Sequence, residues 1–127
     1  MATQTAPKLS KAACAALFDT AYAAGVAAAN AAVPTPMIVK DEQTGYVYAP
    51  VMDGVCGFAS VIVRPGTSSF ARYLKAEKGC RKSYYGGISY YVAGFGQSYT
   101  RKVAFADAFA AVLTEAGISA YAEGRLD

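Results

Sequence analysis

Residues 57–79, GFASVIVRPGTSSFARYLKAEKG, decide the fold. Gly57–Val63 is the most β-prone run in the chain, rich in the branched residues that pack well on a pleated surface. Pro65-Gly66 breaks it, because proline cannot donate to a ladder. Thr67, Ser68 or Ser69 then supplies a hydroxyl to cap a short helix that runs to Lys78. Phe70, Tyr73 and Leu74 form its apolar stripe; Arg72, Lys75 and Lys78 lie off that stripe. Gly79 suits the left-handed residue that closes such a helix.

Working outward, Asp53-Gly54 is a turn signal, and Tyr46–Met52 before it alternates like a strand, with Pro50 marking an edge or a bulge. Met37–Val39 reads as a short extended piece. These features predict an antiparallel hairpin that pairs 46–52 with 57–63. Downstream, Ser83–Ala93 reads as a strand, kinked at Gly86-Gly87, and Gly94–Gly96 as a loop. Ser98 caps a helix over Tyr99–Ala116, whose stripe is Phe105, Phe109, Val112, Leu113 and Ala116. Ile118–Ala122 alternates as a last short strand, and EGRLD reads as a polar tail. The fold class expected is α+β: a mixed or antiparallel sheet of four to five strands with two helices packed on it, preceded by a long alanine-rich helix.

The N-terminal third is simpler. Residues 1–8 read as a flexible lead-in, 9–33 as an alanine-rich helix, and 34–127 as a single α+β domain. Ser10 is a good N-cap, with Leu9 placed to staple against Cys14. Between Leu9 and Val39 the charges are Lys11 and Asp19 alone, so the helix has almost no solvated face. Such a helix is usually covered on more than one side, and a small domain covers only one. A second copy of the chain is therefore expected against it; an alanine helix left in water is the alternative. Lys8 and Lys11 ahead of this run, with ANAAV after it, imitate a secretory leader. Asp19 and Tyr22 interrupt the run, so neither a leader nor a membrane partner is expected.

Composition narrows the function. Of 127 residues, 54% are apolar and 17% charged, which excludes a disordered chain. The net charge of +3 is small, so any basic signal is local. Histidine is absent, which removes the commonest general base and the commonest metal ligand together. Cys14, Cys56 and Cys80 lie far apart with no CxxC, supporting neither a disulfide framework nor a zinc site. Glu42, Asp53, Glu77, Asp107, Glu115 and Glu123 show no spacing that pairs two carboxylates, and Ser68 and Ser69 have no histidine to activate them. No catalytic residue, cofactor or metal is expected.

The local basic signal is strong. Arg64, Arg72, Lys75, Lys78, Arg81 and Lys82 stand against Glu77 alone, and Tyr84, Tyr85, Tyr90 and Tyr91 follow with Gly86 and Gly87 between them. Arg101 and Lys102 add two cations at the next helix start. Phenol rings stack on bases, and arginine or lysine pairs with phosphate. The candidate ligand-binding residues are Arg64, Ser68, Arg72, Lys75, Arg81, Tyr84, Tyr85, Tyr90 and Arg101, expected to converge on one concave surface for a phosphate-bearing nucleotide. The same residues also fit a solvated helix face and tyrosines that merely pack a sheet.

GVCGFASVIVRPGTSSFARYLK (54–75), RKSYYGG (81–87), QSYTRK (97–102) and ISAYAEGRLD (118–127), with TPM at 35–37, together resemble a family of small accessory proteins of tailed phages, over about residues 34–127. The resemblance implies a phage product in the cytoplasm of the host bacterium, acting in takeover of the host or evasion of its defences. It carries no residue roles. Two functions of different class follow as expectations: a homo-oligomer that sequesters a nucleotide ligand, or an inhibitor that docks on a host protein or nucleic-acid complex. A purely structural homo-oligomer is the third.

Overall fold

The computed structural model describes residues 7–36, 38–50, 54–84 and 86–127. Three helices and four strands follow in the order α1 (Lys11–Ala31), β1 (Gly57–Arg64), α2 (Ser69–Lys78), β2 (Arg81–Lys82), β3 (Ile88–Tyr91), α3 (Tyr99–Glu115) and β4 (Ser119–Leu126). The strands form one antiparallel sheet in the order β2-β3-β1-β4. The fold class is α+β, with an N-terminal helix, a four-stranded sheet and two further helices.

Each helix starts on a serine. Ser10, Ser68 and Ser98 each accept a hydrogen bond from the backbone N–H three residues on, at 3.1, 3.3 and 3.2 Å. These bonds satisfy one of the orphan donors of a first helical turn. The sheet's inner face contributes Ala59, Val61, Val63, Ile88 and Val92 to the core, against Phe70 and Leu74 of α2 and Phe105, Phe109 and Leu113 of α3. α1 lays Cys14, Phe18, Ala21, Gly25 and Ala29 on this layer, mainly against α3. Its remaining surface is largely exposed, alanine by alanine. By length and composition α1 could cross a membrane, with a mean hydropathy of 1.4 over a window that is 28% buried.

Gly25 marks the closest approach of α1 to α3. A Cβ there would stand 2.7 Å from the Phe105 ring. Gly25→Ala gains about 1 kcal/mol of helix propensity but overpacks a buried ring, a change that costs roughly 1–3 kcal/mol. The overpacking wins. Thermal unfolding of this variant is expected a few degrees below that of the parent; a higher midpoint would show that Phe105 moves aside freely.

Two expectations are corrected. The hairpin of 46–52 with 57–63 does not form, because both edges of β1 are taken by β3 and β4. Tyr46, Val47 and Tyr48 are exposed, with an isolated bridge from Val47 to Lys40, and residues 51–53 lie outside the described residues, as does Met37. The EGRLD tail is mostly strand: β4 pairs with β1 along its whole length, from Arg64 beside Ser119 to Gly57 beside Leu126. Small residues permit it. Ala120, Ala122 and Gly124 face the helices, and a Cβ on Gly124 would meet the Tyr99 hydroxyl at 2.8 Å.

Candidate functional site

Strand parity sorts the sheet into two faces. Gly57, Ala59, Val61 and Val63 point to the helices; Phe58, Ser60, Ile62 and Arg64 point the other way. The register brings Tyr91 beside Ser60 and Ser89 beside Ile62 on that second face. From β4 it brings Arg125, Glu123, Tyr121 and Ser119 beside Phe58, Ser60, Ile62 and Arg64 respectively. Arg81 of β2 stands beside Ser89. Among the described residues the helices pack on the opposite side, so no helix covers this face, although Ile62 on it is buried.

Aromatic and basic groups meet at both of its ends. At one, Phe58 and Tyr91 rings lie 6.3 Å apart with the Arg125 guanidinium 5.5 Å from the Phe58 centroid. At the other, the Arg64 guanidinium lies 5.3 Å over Tyr121. Tyr121 pairs with Ile62, four residues along β1 from Phe58. At about 3.3 Å per residue and about 4.8 Å between strands, the two ends are roughly 14 Å apart.

A cleft crosses the middle of the face. Its larger part, about 470 Å³, has Ser60, Ile62, Ser89, Tyr91 and Glu123 as floor and Lys78, Arg81, Lys82 and Tyr84 as rim. A second part, about 330 Å³, continues past Ser60, Tyr91 and Glu123 to Phe58 and Arg125. The cleft opens where it does because β2 pairs only with Ile88 and Ser89, leaving the outer edge of β3 at Tyr90 and Tyr91 outside the ladder. Around the β2 edge a further hollow of about 300 Å³ holds Lys75 and Lys82 with Thr67 and Ser83; it shares Lys82 and Ser83 with the cleft.

Glycines shape this rim. Gly79, at φ 65°, ends α2 and turns the chain into β2, with the Cys80 N–H donating to the Leu74 carbonyl. Between β2 and β3, the Ser83 N–H donates to the Gly87 carbonyl and the Gly86 N–H to the Ser83 carbonyl, a turn compact enough to hold Tyr84 out at 91% exposure.

The expected site residues divide. Arg81 and Tyr84 line the cleft, with Lys75 in the adjoining hollow, while Arg64 stands on the same sheet face over Tyr121. Ser68 spends its hydroxyl on the α2 cap, accepting from Ala71. Arg72 faces away, into a groove between α1 and α2 that also holds Lys11 and Glu77, an ion pair at 3.0 Å. Arg101 sits in the first turn of α3, its Nε buried and without a hydrogen-bond partner among the described residues. Tyr85 lies outside the described residues.

Tyr90 lines the cleft but turns its ring to the core. Its ring stacks on Phe109 at 5.0 Å and meets Phe18 edge-on at 5.5 Å. Burial, with Tyr22 and Cys80 nearby, pushes its pKa from 10.0 up to about 12. Because the folded value is the higher one, the stability this phenol contributes is fully present below pH 10 and is lost as pH rises through about 12. Alkaline denaturation is therefore expected to set in between those values and to move upward in Tyr90→Phe. An unchanged alkaline midpoint would show that Tyr90 is not the group responsible.

Phe58, Ser60, Tyr121, Glu123 and Arg125, together with Tyr91, Lys78 and Lys82, complete the site beyond the expected residues. The signal that finds them is parity. In ISYY, Ile88 assigns Tyr90 inward and Tyr91 outward; in SAYAEGRL, small residues alternate with Tyr121, Glu123 and Arg125.

Chemically, the face can stack flat rings, pair anions at its rim and accept hydrogen bonds at its centre. Among the described residues no three His, Cys, Asp or Glu side chains gather where they could hold a metal ion. No protein-family model, curated protein or solved structure matches this chain.

Proposed function

We propose that the open face of the sheet binds a phosphate-bearing nucleotide ligand, and that this ligand is a single strand of nucleic acid. One observation carries the reading: two ring–arginine pairs, Phe58/Tyr91 with Arg125 and Tyr121 with Arg64, stand about 14 Å apart on the same face of the sheet, the first of them lining the cleft that crosses its middle. A single base covers one of them. A chain covers both, with bases on the rings and phosphates along Lys75, Lys78, Arg81 and Lys82. Stacking on aromatic faces beside a basic groove is how sequence-tolerant single-strand binders hold their ligand.

The test is affinity against length, measured by fluorescence anisotropy with labelled single strands from two to twelve nucleotides and with mononucleotides. Affinity is expected to rise steeply until the strand spans both pairs, then level off. Mononucleotides that bind as well as the longest strand would overturn the reading. Salt gives a second handle. Each phosphate contact contributes about 0.7 to the slope of log K against log salt for a single strand, so Lys82→Ala, at the junction of cleft and hollow, is expected to flatten that slope by about 0.7. An unaltered slope removes the β2 rim from the ligand's path.

The wider role in this proposal is non-enzymatic: a phage accessory protein in the host cytoplasm that keeps a nucleic-acid ligand from a host system. That part rests on the sequence expectation drawn from the motifs of residues 34–127. The exposed alanine surface of α1 supports association of two copies, which sedimentation equilibrium reads directly.

A further inference from the structure

We infer that Glu123 reads the bases, accepting hydrogen bonds from exocyclic amino groups, so that the face prefers cytosine to uracil. This rests on the single-strand reading and deepens it. Glu123 lies at the middle of the open face, beside Ser60, and lines both parts of the cleft. It is two residues along β4 from Tyr121, about 7 Å, on the same side of the sheet. A base stacked on Tyr121 brings its edge within reach of that carboxylate.

Its charge is the telling feature. Arg64, Arg81 and Arg125 share the face, yet the ion pair among the described residues is Lys11 with Glu77, on the far side of the molecule. Glu123 pairs with none of the three arginines. An anion in the middle of a cationic cleft repels phosphate, so it lowers affinity for any strand regardless of sequence. What it adds is discrimination. An ionised carboxylate only accepts hydrogen bonds, so the groups that satisfy it must be donors. Cytosine offers the N4 amino group there; uracil offers O4, an acceptor that meets the carboxylate with repulsion. Ser60 and Ser89 are neutral on this point, since a hydroxyl both donates and accepts. Recognition of one ligand by making another unfavourable is an ordinary source of specificity.

The experiment compares oligocytidylate with oligouridylate of eight nucleotides, equal in ring size and backbone, on the full chain and on Glu123→Gln. The parent is expected to bind the cytidine strand roughly tenfold more tightly. Glu123→Gln is expected to bring that ratio close to one, mainly by improving uridine binding, since an amide can donate to O4. Circular dichroism checks that the variant is folded, and a folding defect would lower both affinities together without changing their ratio. Equal binding of both strands by the parent, or a ratio unchanged in Glu123→Gln, overturns this inference and leaves the single-strand reading intact. Failure of the parent to bind either strand overturns both.

Discussion

Tyr91→Ala is expected to weaken single-strand binding by about 5- to 150-fold, the range that corresponds to one base stacked on an aromatic ring, with little change in stability. Its neighbour is expected to do the reverse. Tyr91 is 52% exposed on the open face beside Phe58, so truncation removes a stacking surface and leaves no cavity. Tyr90 packs among Phe18, Phe105 and Phe109, where truncation of a ring costs about 3 kcal/mol or more. Urea denaturation and anisotropy on the two variants form a paired measurement. Tyr91→Ala should keep its midpoint and lose affinity; Tyr90→Ala should lose midpoint and, at temperatures where it is still folded, keep most of its affinity. Should the two exchange behaviours, the assignment of the sheet's faces is inverted and the site with it.

That contrast also shows what is legible in the sequence alone. Caps, breakers and periodicity located the helices closely: Ser68 and Gly79 bound α2 as read, and Ser98 opens α3. Strand positions were legible too, but pairing was not. Alternation in 46–52 resembles that of a strand, yet only competition for the edges of β1 decides which segments join the sheet. The more distant β3 and β4 win because their inner residues, Ile88, Ala120 and Ala122, fit under α2 and α3. The site failed to emerge in full for a related reason. Adjacency in sequence groups the cations and tyrosines together, whereas a sheet sends neighbours to opposite faces and gathers residues from β1 and β4 that are about sixty positions apart. Hence Arg72 lies away from the cleft and Tyr90, which lines it, packs its ring into the core, whereas Phe58 and Glu123 lie in the cleft and Tyr121 stands on the same face.

The turn between β2 and β3 ties stability to the site, and Gly87 is where the two meet. Its φ of 80° already disfavours any side chain, and a Cβ would stand 2.5 Å from the Val63 carbonyl oxygen, a backbone atom held in the ladder of β1 with β3. Unlike a ring, that atom has no rotamer to escape into. Backbone strain of about 1 kcal/mol or more adds to overpacking of roughly 1–3 kcal/mol, so Gly87→Ala is expected to cost about 2–4 kcal/mol in urea denaturation. Gly86 is the control: its φ is 102°, but nothing lies within 4 Å of the added carbon, so Gly86→Ala should show the strain alone. The difference between the two variants isolates the contact with β1. Where the chain relieves that contact by shifting the turn, Lys82 and Tyr84 move with it, and strand binding should fall in Gly87→Ala beyond what Gly86→Ala loses. Equal stability losses in the two variants would mean that Gly87 is not pressed against β1 and that the rim of the cleft is set by something other than this turn.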